Sequence, residues 1–336
     1  MSLEIIKKLI QQKKYKKDFF KISKILEDNP NDFKTNFHMG RYYYDLNNLD
    51  QSVFFFQKSN RLSPNNPNII FNLAVALQGI GQTEQAKREY LKLISINSKN
   101  IKAYYGLFIL DVKNITHELY NNLQSIIKGH KLSLYEKGLI KFIFSKLAKK
   151  KGKLKDEIDY LNDAHKDCYE SNLAYNKKSD YYYNNIISNH YNKVIFQNKF
   201  KPISEFNNQK HIFIIGLPRS GSSLVETIIS HNEPNITSVG EFHAFNRSIL
   251  EQIVENFDAK NFKIKIDKKN FQDALLEKYD NFNNKLYLDK SLENFFNIEI
   301  ILEFFPNAKF IHTLRNFNDA VIGIYQAMLP ELSWSH

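Results

Sequence analysis

Apolar and polar positions along the first third of the chain follow a helical period, and that pattern recurs. Residues 33–64 (FKTNFHMGRYYYDLNNLDQSVFFFQKSNRLSP) align with residues 67–98 (PNIIFNLAVALQGIGQTEQAKREYLKLISINS) at an offset of 34. In that register Met39 matches Leu73, Gly40 matches Ala74, Tyr43 matches Leu77, Ser52 matches Ala86, Phe56 matches Tyr90 and Pro64 matches Ser98. Large apolar residues at helical spacing predict amphipathic helices, and the small ones recur where two helices of a pair touch. One such pair cannot bury its apolar face alone, so neighbouring pairs must stack. A partial unit ending at Asp28-Asn29-Pro30 precedes these two, and AYYGLFIL, after Ile101, opens a third that then diverges. Residues 115–197 keep the helical period, as in LYNNLQSIIKGH and YEKGLIKFIFSKLAKK, and read as further helix pairs. Aromatics at this spacing usually fill cores, so Phe54, Phe55 and Phe56 are expected to pack between helices rather than line a groove. The run Lys149-Lys150-Lys151-Gly152-Lys153 reads as a solvated loop.

The pattern changes at PISEFNNQK (202–210), a plausible linker. Residues 211–215 are a short apolar, β-branched run that ends at a glycine and predicts a buried strand. Residues 223–230 return to helical spacing, and Ser223 with Glu226 fits a capping box that starts the helix near Ser223. GLPRSGS is thus a strand-to-helix loop, the place where parallel α/β sheets bind anions through backbone N–H groups and a helix N-terminus. Gly216-x4-Gly221-Ser222-Ser223 has the spacing of a nucleotide-binding P-loop, with Ser222 where a lysine reaches the β- and γ-phosphates. Arg219 supplies positive charge from inside the loop instead. One arginine, two hydroxyls and backbone amides suit a single phosphate better than a magnesium-bound triphosphate. Further on, 309–314 reads as a second strand closed by Arg315 and followed by a helix.

Composition narrows the classes. The chain has 336 residues, 43% of them hydrophobic and 25% charged, which suits about two globular domains. A mean hydropathy of −0.46 and the lack of a long apolar run exclude a membrane-spanning helix. MSLEIIKKLIQQKKYKK has no uninterrupted apolar core, so a cytoplasmic location is expected. Cys168 is the one cysteine, which excludes an internal disulfide and a cysteine-rich zinc site. The net charge of +11 attracts polyanions at long range. Abundant Asn, Lys, Ile, Tyr and Phe match AT-rich compositional drift, so charge alone assigns no nucleic-acid partner. No His/Cys/Asp cluster sits at metal-ligand spacing, and no metal is expected.

The repeat register resembles the tetratricopeptide repeat (TPR), and the second half resembles the sulfotransferases. Together they look like the tetratricopeptide-repeat sulfotransferases of bacteria and, more distantly, the tyrosylprotein sulfotransferases. In that family a PRSGTT-type loop grips the 5′-phosphosulfate end of 3′-phosphoadenosine 5′-phosphosulfate (PAPS). Arg219, Ser220, Gly221, Ser222 and Ser223 match it, with serines for the threonines. PNAKFIHTLRNFNDAVIGIY (306–325) is similar to the family's 3′-phosphate segment, which implies that Arg315 contacts the 3′-phosphate. The family's serine eight residues further on is here Gly323. LYLDKSLENFF (286–296) resembles the DK-x-P-x-N-F segment, with Leu292 in place of the proline. This implies that Lys290 neutralises charge on the bridging oxygen, while Asp289 orients it or caps the next helix. TSVGEFHAF (237–245) lies where the family has a Gly-Glu segment, which makes Glu241 the implied general base. Phe242 stands where tyrosylprotein enzymes carry a second glutamate, and His243 is the fallback base.

The expected fold is therefore an α-helical TPR-like repeat array followed by an α/β P-loop-type sulfotransferase domain with a parallel sheet. The expected divisions are 1–130 for the repeats, 131–207 for further helices and linker, and 208–336 for the sulfotransferase-like domain, which ends sooner than in the family. The resemblance implies transfer of a sulfuryl group from PAPS to a hydroxyl or amine, leaving 3′,5′-adenosine bisphosphate (PAP). Protein tyrosine, a glycan or a small alcohol are all allowed as acceptors, and the repeats suit a peptide or protein partner. No nucleic acid and no membrane span are expected. The alternative is a TPR binding module whose second domain is inactive or only binds nucleotide. A P-loop kinase or NTPase is disfavoured by the missing lysine. Calorimetry separates the three: the loop predicts tight PAP binding and no magnesium-dependent ATP binding. Magnesium-dependent ATP binding would restore the kinase reading.

Overall fold

The computed structural model describes residues 15–45, 48–129, 131–187, 210–241 and 286–327. The chain divides into two compact units, one running to Ala174 and the other from Tyr175. The start of the partial first repeat, the 202–209 part of the linker, Phe242, His243 and the segment after Ala327 lie outside the described residues.

The first unit is a stack of antiparallel-style helix pairs. Its elements are α1 (Tyr15–Asp28), α2 (Phe33–Asp45), α3 (Leu49–Leu62), α4 (Pro67–Gly79), α5 (Thr83–Ile96), α6 (Ile101–Leu110), α7 (His117–Gly129), α8 (Leu134–Lys150) and α9 (Leu154–Ser171). The closest pairs are α2 with α3, α4 with α5, and α8 with α9, and each pair leans on the next. The helices start where short polar side chains satisfy the first amides. Asp32 accepts from Thr35 N at 2.8 Å, Asn66 from Asn68 N at 3.1 Å and Asn100 from Ala103 N at 3.1 Å. These three caps recur at the same offset of 34 as the apolar positions. Pro67 follows its cap at the first helical position, where its missing N–H costs nothing. A capping box of Ser133 and Glu136 opens α8.

Large rings pressed against glycines hold the pairs together. Phe56 on α3 and Tyr90 on α5 are almost completely buried. A methyl group added at Gly40 would stand 2.6 Å from the Phe56 ring, and one at Gly106 would stand 2.3 Å from the Tyr90 ring. The Tyr90 ring is fixed from its far end, because its hydroxyl donates to Gln78 Oε1 at 3.0 Å. Polar bonds cross the first of these seams, between α2 and α3: Ser52 Oγ donates to Gly40 O at 2.9 Å and Ser59 Oγ to Phe33 O at 2.7 Å. Of the three consecutive phenylalanines, Phe56 is core and Phe55 stacks on Tyr43 at 5.5 Å. Phe54 departs from the expectation of packing and is 56% exposed. Successive residues on a helix are about 100° apart, so Phe54 and Phe56 point about 200° away from each other and cannot both face the core. Between α8 and α9, Lys141 bonds Asp167 at 2.8 Å and Asp163 at 3.2 Å. Burial works to lower the Lys141 pKa, but these carboxylates outweigh it and hold the ammonium above its ordinary value. Cys168 faces Gly138 across the same seam, and burial and Asp167 push its thiol up to about 11, so it is a packing thiol.

The second unit begins within α10 (Leu173–Tyr181), continues through a π-helical turn (Tyr182–Ile187), and contains a four-stranded parallel sheet. The strands are β1 (Lys210–Gly216), β2 (Ile236–Gly240), β3 (Leu286–Asp289) and β4 (Lys309–Thr313), in the order β2-β3-β1-β4. Helix α11 (Ser222–Asn232) links β1 to β2, α12 (Ile298–Phe304) precedes β4, and α13 (Phe317–Ala327) follows it. β1 is an inner strand paired on both edges, and it reads as a continuous apolar run because side chains on both of its faces are buried. Phe213, Ile214, Leu288, Ile301 and Phe305 form its core.

His211 sits in that core at 2% exposure, with its ring edge-on to Phe305 at 3.8 Å and to Tyr287 at 5.5 Å. Burial pulls its pKa down to about 4.

Two predictions follow from this packing. Overpacking a core costs about 1–3 kcal/mol, more than the roughly 1 kcal/mol that alanine gains over glycine inside a helix. Gly106→Ala is therefore expected to lower the melting temperature, whereas Gly129→Ala, with open space around it, should leave it unchanged or raise it. For His211, the unfolded chain takes up a proton near pH 6.5 while the folded chain resists until about 4. The unfolded state binds more protons in that window, so stability falls as the pH drops through it. Relative to His211→Leu, the wild type should lose about 2 kcal/mol between pH 7 and pH 5 in urea titrations.

Candidate functional site

Because all four strands are parallel, their carboxyl ends lie along one edge of the sheet, where open α/β sheets bind ligands. The four candidate segments follow those four ends: the 217–223 loop after β1, Glu241 after β2, Lys290 after β3, and Arg315 just after β4.

The loop is held in an unusual shape. Gly216, Arg219 and Gly221 have φ of +139°, +67° and +98°. Gly216 is required, since a Cβ there would lie 2.6 Å from the carbonyl oxygen of Thr313. Arg219 takes the left-handed conformation with a side chain, which costs about 1–2 kcal/mol and persists only where neighbours enforce it. Three contacts enforce it. Ser220 Oγ donates to Leu217 O at 2.6 Å and shares a 2.7 Å bond with Thr313 Oγ1. Arg315 Nη1 donates to Arg219 O at 3.1 Å. Gly323 on α13 leaves room for the Arg219 stem, which a Cβ at 323 would meet at 3.3 Å.

Helix α11 begins at Ser222, with Gly221 as its cap residue and no side-chain cap bond. The capping box expected of Ser223 and Glu226 does not form. Glu226 instead accepts from Ser238 Oγ at 2.5 Å and pairs with Lys290 at 3.5 Å, because a cation and a hydroxyl outbid an exposed cap amide. The helix N-terminus is thus left with its amides facing the loop, and Ser222 is buried beneath them while Ser223 is exposed.

Lys290, just after β3, is nearly buried. Its side chain is 11% exposed, and its ammonium lies 2.9 Å from Glu241 Oε1 and donates to Ser223 Oγ at 3.2 Å. The backbone sets this up: Lys290 N donates to Gly240 O at 2.9 Å, and a register shift between Ser238 and Gly240 places Gly240 opposite Asp289. Asp289 Oδ1 accepts from Ser291 N at 2.7 Å, so it ties down the turn that follows. The Glu241 side chain is about half-exposed.

The structure therefore brings Ser223, Glu241 and Lys290 into one cluster and places Arg219, Ser220, Gly221, Ser222 and Arg315 in or against the adjoining loop. In the geometry shown, Ser220 and Arg315 spend hydrogen bonds on the loop itself. The sequence reading missed Glu226, Ser238 and Thr313. Glu226 carried a signal, since it lies one helical turn from Ser223 on the same face, but that spacing was spent on the cap. Thr313 lies 93 residues from Ser220 and offers no local sign. Among the described residues no group of three or more His, Cys, Asp or Glu side chains is placed to hold a metal ion. Nor is any described helix long and apolar enough to cross a membrane.

The Sulfotransferase family matches residues 211–336, and two Tetratricopeptide repeat families match residues 33–66 and 55–88. No curated protein matches the chain. Two crystal structures of MamA are similar to it with TM-scores of 0.40 and 19% identity, covering 50% and 52% of this chain and 96% and 92% of theirs.

Proposed function

We propose that this chain, which joins tetratricopeptide repeats to a sulfotransferase-family domain, transfers a sulfuryl group from PAPS to a hydroxyl or amine. The observation that carries the reading is the Lys290 ammonium, held between Glu241 and Ser223 at the mouth of the anion loop.

The residues fit the donor. The left-handed turns at Arg219 and Gly221 and the uncapped start of α11 suit the 5′-phosphosulfate end. Arg219, Ser220, Gly221, Ser222 and Ser223 would hold that end, and Arg315, with donors to spare beyond its loop bond, would hold the 3′-phosphate. In the transfer the acceptor oxygen forms a bond to sulfur as the bond from sulfur to the 5′-phosphate oxygen breaks. The acceptor proton passes to Glu241. The charge left on the phosphate oxygen of PAP is taken up by Lys290 and the Ser223 hydroxyl. Such transfers rest on positioning and charge stabilisation, by analogy with phosphoryl transfer. The repeats favour an acceptor carried on a peptide or protein, such as a tyrosine, whose hydroxyl with a pKa of about 10 profits from a base.

Two variants test the assignment. Arg219→Ala should abolish PAP binding in calorimetry with an unchanged circular dichroism spectrum. Lys290→Ala should slow PAP release from PAPS by about 100-fold or more. Unchanged PAP affinity in Arg219→Ala would refute the loop assignment. PAP binding without any PAP release in the wild type would leave a nucleotide-binding module attached to the repeats.

A further inference from the structure

We infer that Glu226 is a positioning residue that keeps the Lys290 ammonium at the anion loop when Glu241 loses its charge by taking the acceptor's proton; this rests on the sulfuryl-transfer reading. Lys290 faces two carboxylates of different character. Glu241 is the nearer, at 2.9 Å, but its side chain is 54% exposed. Glu226 is at 3.5 Å and only 18% exposed.

Only Oε1 of Glu241 contacts the lysine, so the carboxylate can take the acceptor's proton on its other oxygen, but in doing so it loses its charge. With Glu241 alone, this would strand a nearly buried ammonium without a counter-charge, which is the costly outcome for an ion pair. Glu226 removes that obstacle because its partners do not depend on the acceptor. One of its oxygens accepts from Ser238 Oγ, which in turn accepts from Gly240 N at 3.3 Å. The other reaches Lys290. The corner that carries Glu241 and the helix that carries Ser223 are thereby pinned to the same carboxylate. Glu226 lies one turn beyond Ser223 on α11, so the loop, the lysine and the base corner share a single fixed point.

The test uses the full chain, PAPS as donor and p-nitrophenol as probe acceptor, with PAP release as the activity. In the ligand-free chain, acetic anhydride labelling at Lys290 is read by mass spectrometry. Glu226→Gln keeps the length and an acceptor for Ser238 but removes the charge. It should leave PAP affinity and KM for PAPS within about threefold and lower kcat about tenfold or more. Lys290 should label at least about threefold faster than in the wild type, as expected of a loosened ammonium. Glu226→Asp should recover part of kcat, and Ser238→Ala should fall between the wild type and Glu226→Gln. Wild-type kcat and labelling in Glu226→Gln overturn the inference, as does an equal loss of kcat and PAP affinity, which marks general damage. A wild-type chain that releases no PAP overturns the sulfuryl-transfer reading, and this inference with it.

Discussion

A chain that leaves a central strand and enters a helix within a few residues has to reverse direction while keeping its amides turned outward, and only a few backbone shapes allow this. Here the shape depends on Gly216 lying flat against the carbonyl of Thr313, where no side chain fits. That contact joins the last residue of β1 to the last residue of β4. Everything downstream inherits it: the left-handed Arg219, the Ser220 bond to Thr313, and the uncapped start of α11. The loop is thus shaped by the protein's own contacts, so an anion bound there would not have to meet the whole entropy of ordering it.

The charge arrangement follows from the sheet. Parallel pairing puts Gly240 opposite Asp289, so the residues just after them, Glu241 and Lys290, emerge side by side. A lysine so enclosed is tolerable only with counter-charges at hand, and two carboxylates and a hydroxyl supply them. Their unequal exposure separates a fixed partner from one open to solvent. The helical unit uses ions differently: the Lys141 pairs with Asp163 and Asp167 join two helices and leave no group facing an open site.

Much of this was legible in the residues. The offset of 34 predicted the stacked pairs because packing at Gly40 and Phe56 constrains side-chain size in each repeat. The caps at Asp32, Asn66 and Asn100 repeat the same register, and they extend it into the third unit whose apolar pattern had faded. The loop was legible because its glycines and serines have no other joint purpose. Two things were not. The exposure of Phe54 depends on the rotation of α3 against its neighbours, which aromatic content does not reveal. The role of Glu226 depends on Ser238 and Lys290, 12 and 64 positions away, and local spacing offered it a cheaper occupation as a cap.

Gly323 deserves a different description from a lost ligand. The helix after β4 approaches the Arg219 stem so closely that a single added carbon meets it at 3.3 Å. A hydroxyl-bearing residue there would crowd the guanidinium's own shaft. The helix and the bend therefore share one tight volume, and bulk added at 323 would be accommodated only if the Arg219 stem gave way by a few tenths of an ångström, shifting the cation that the bend presents.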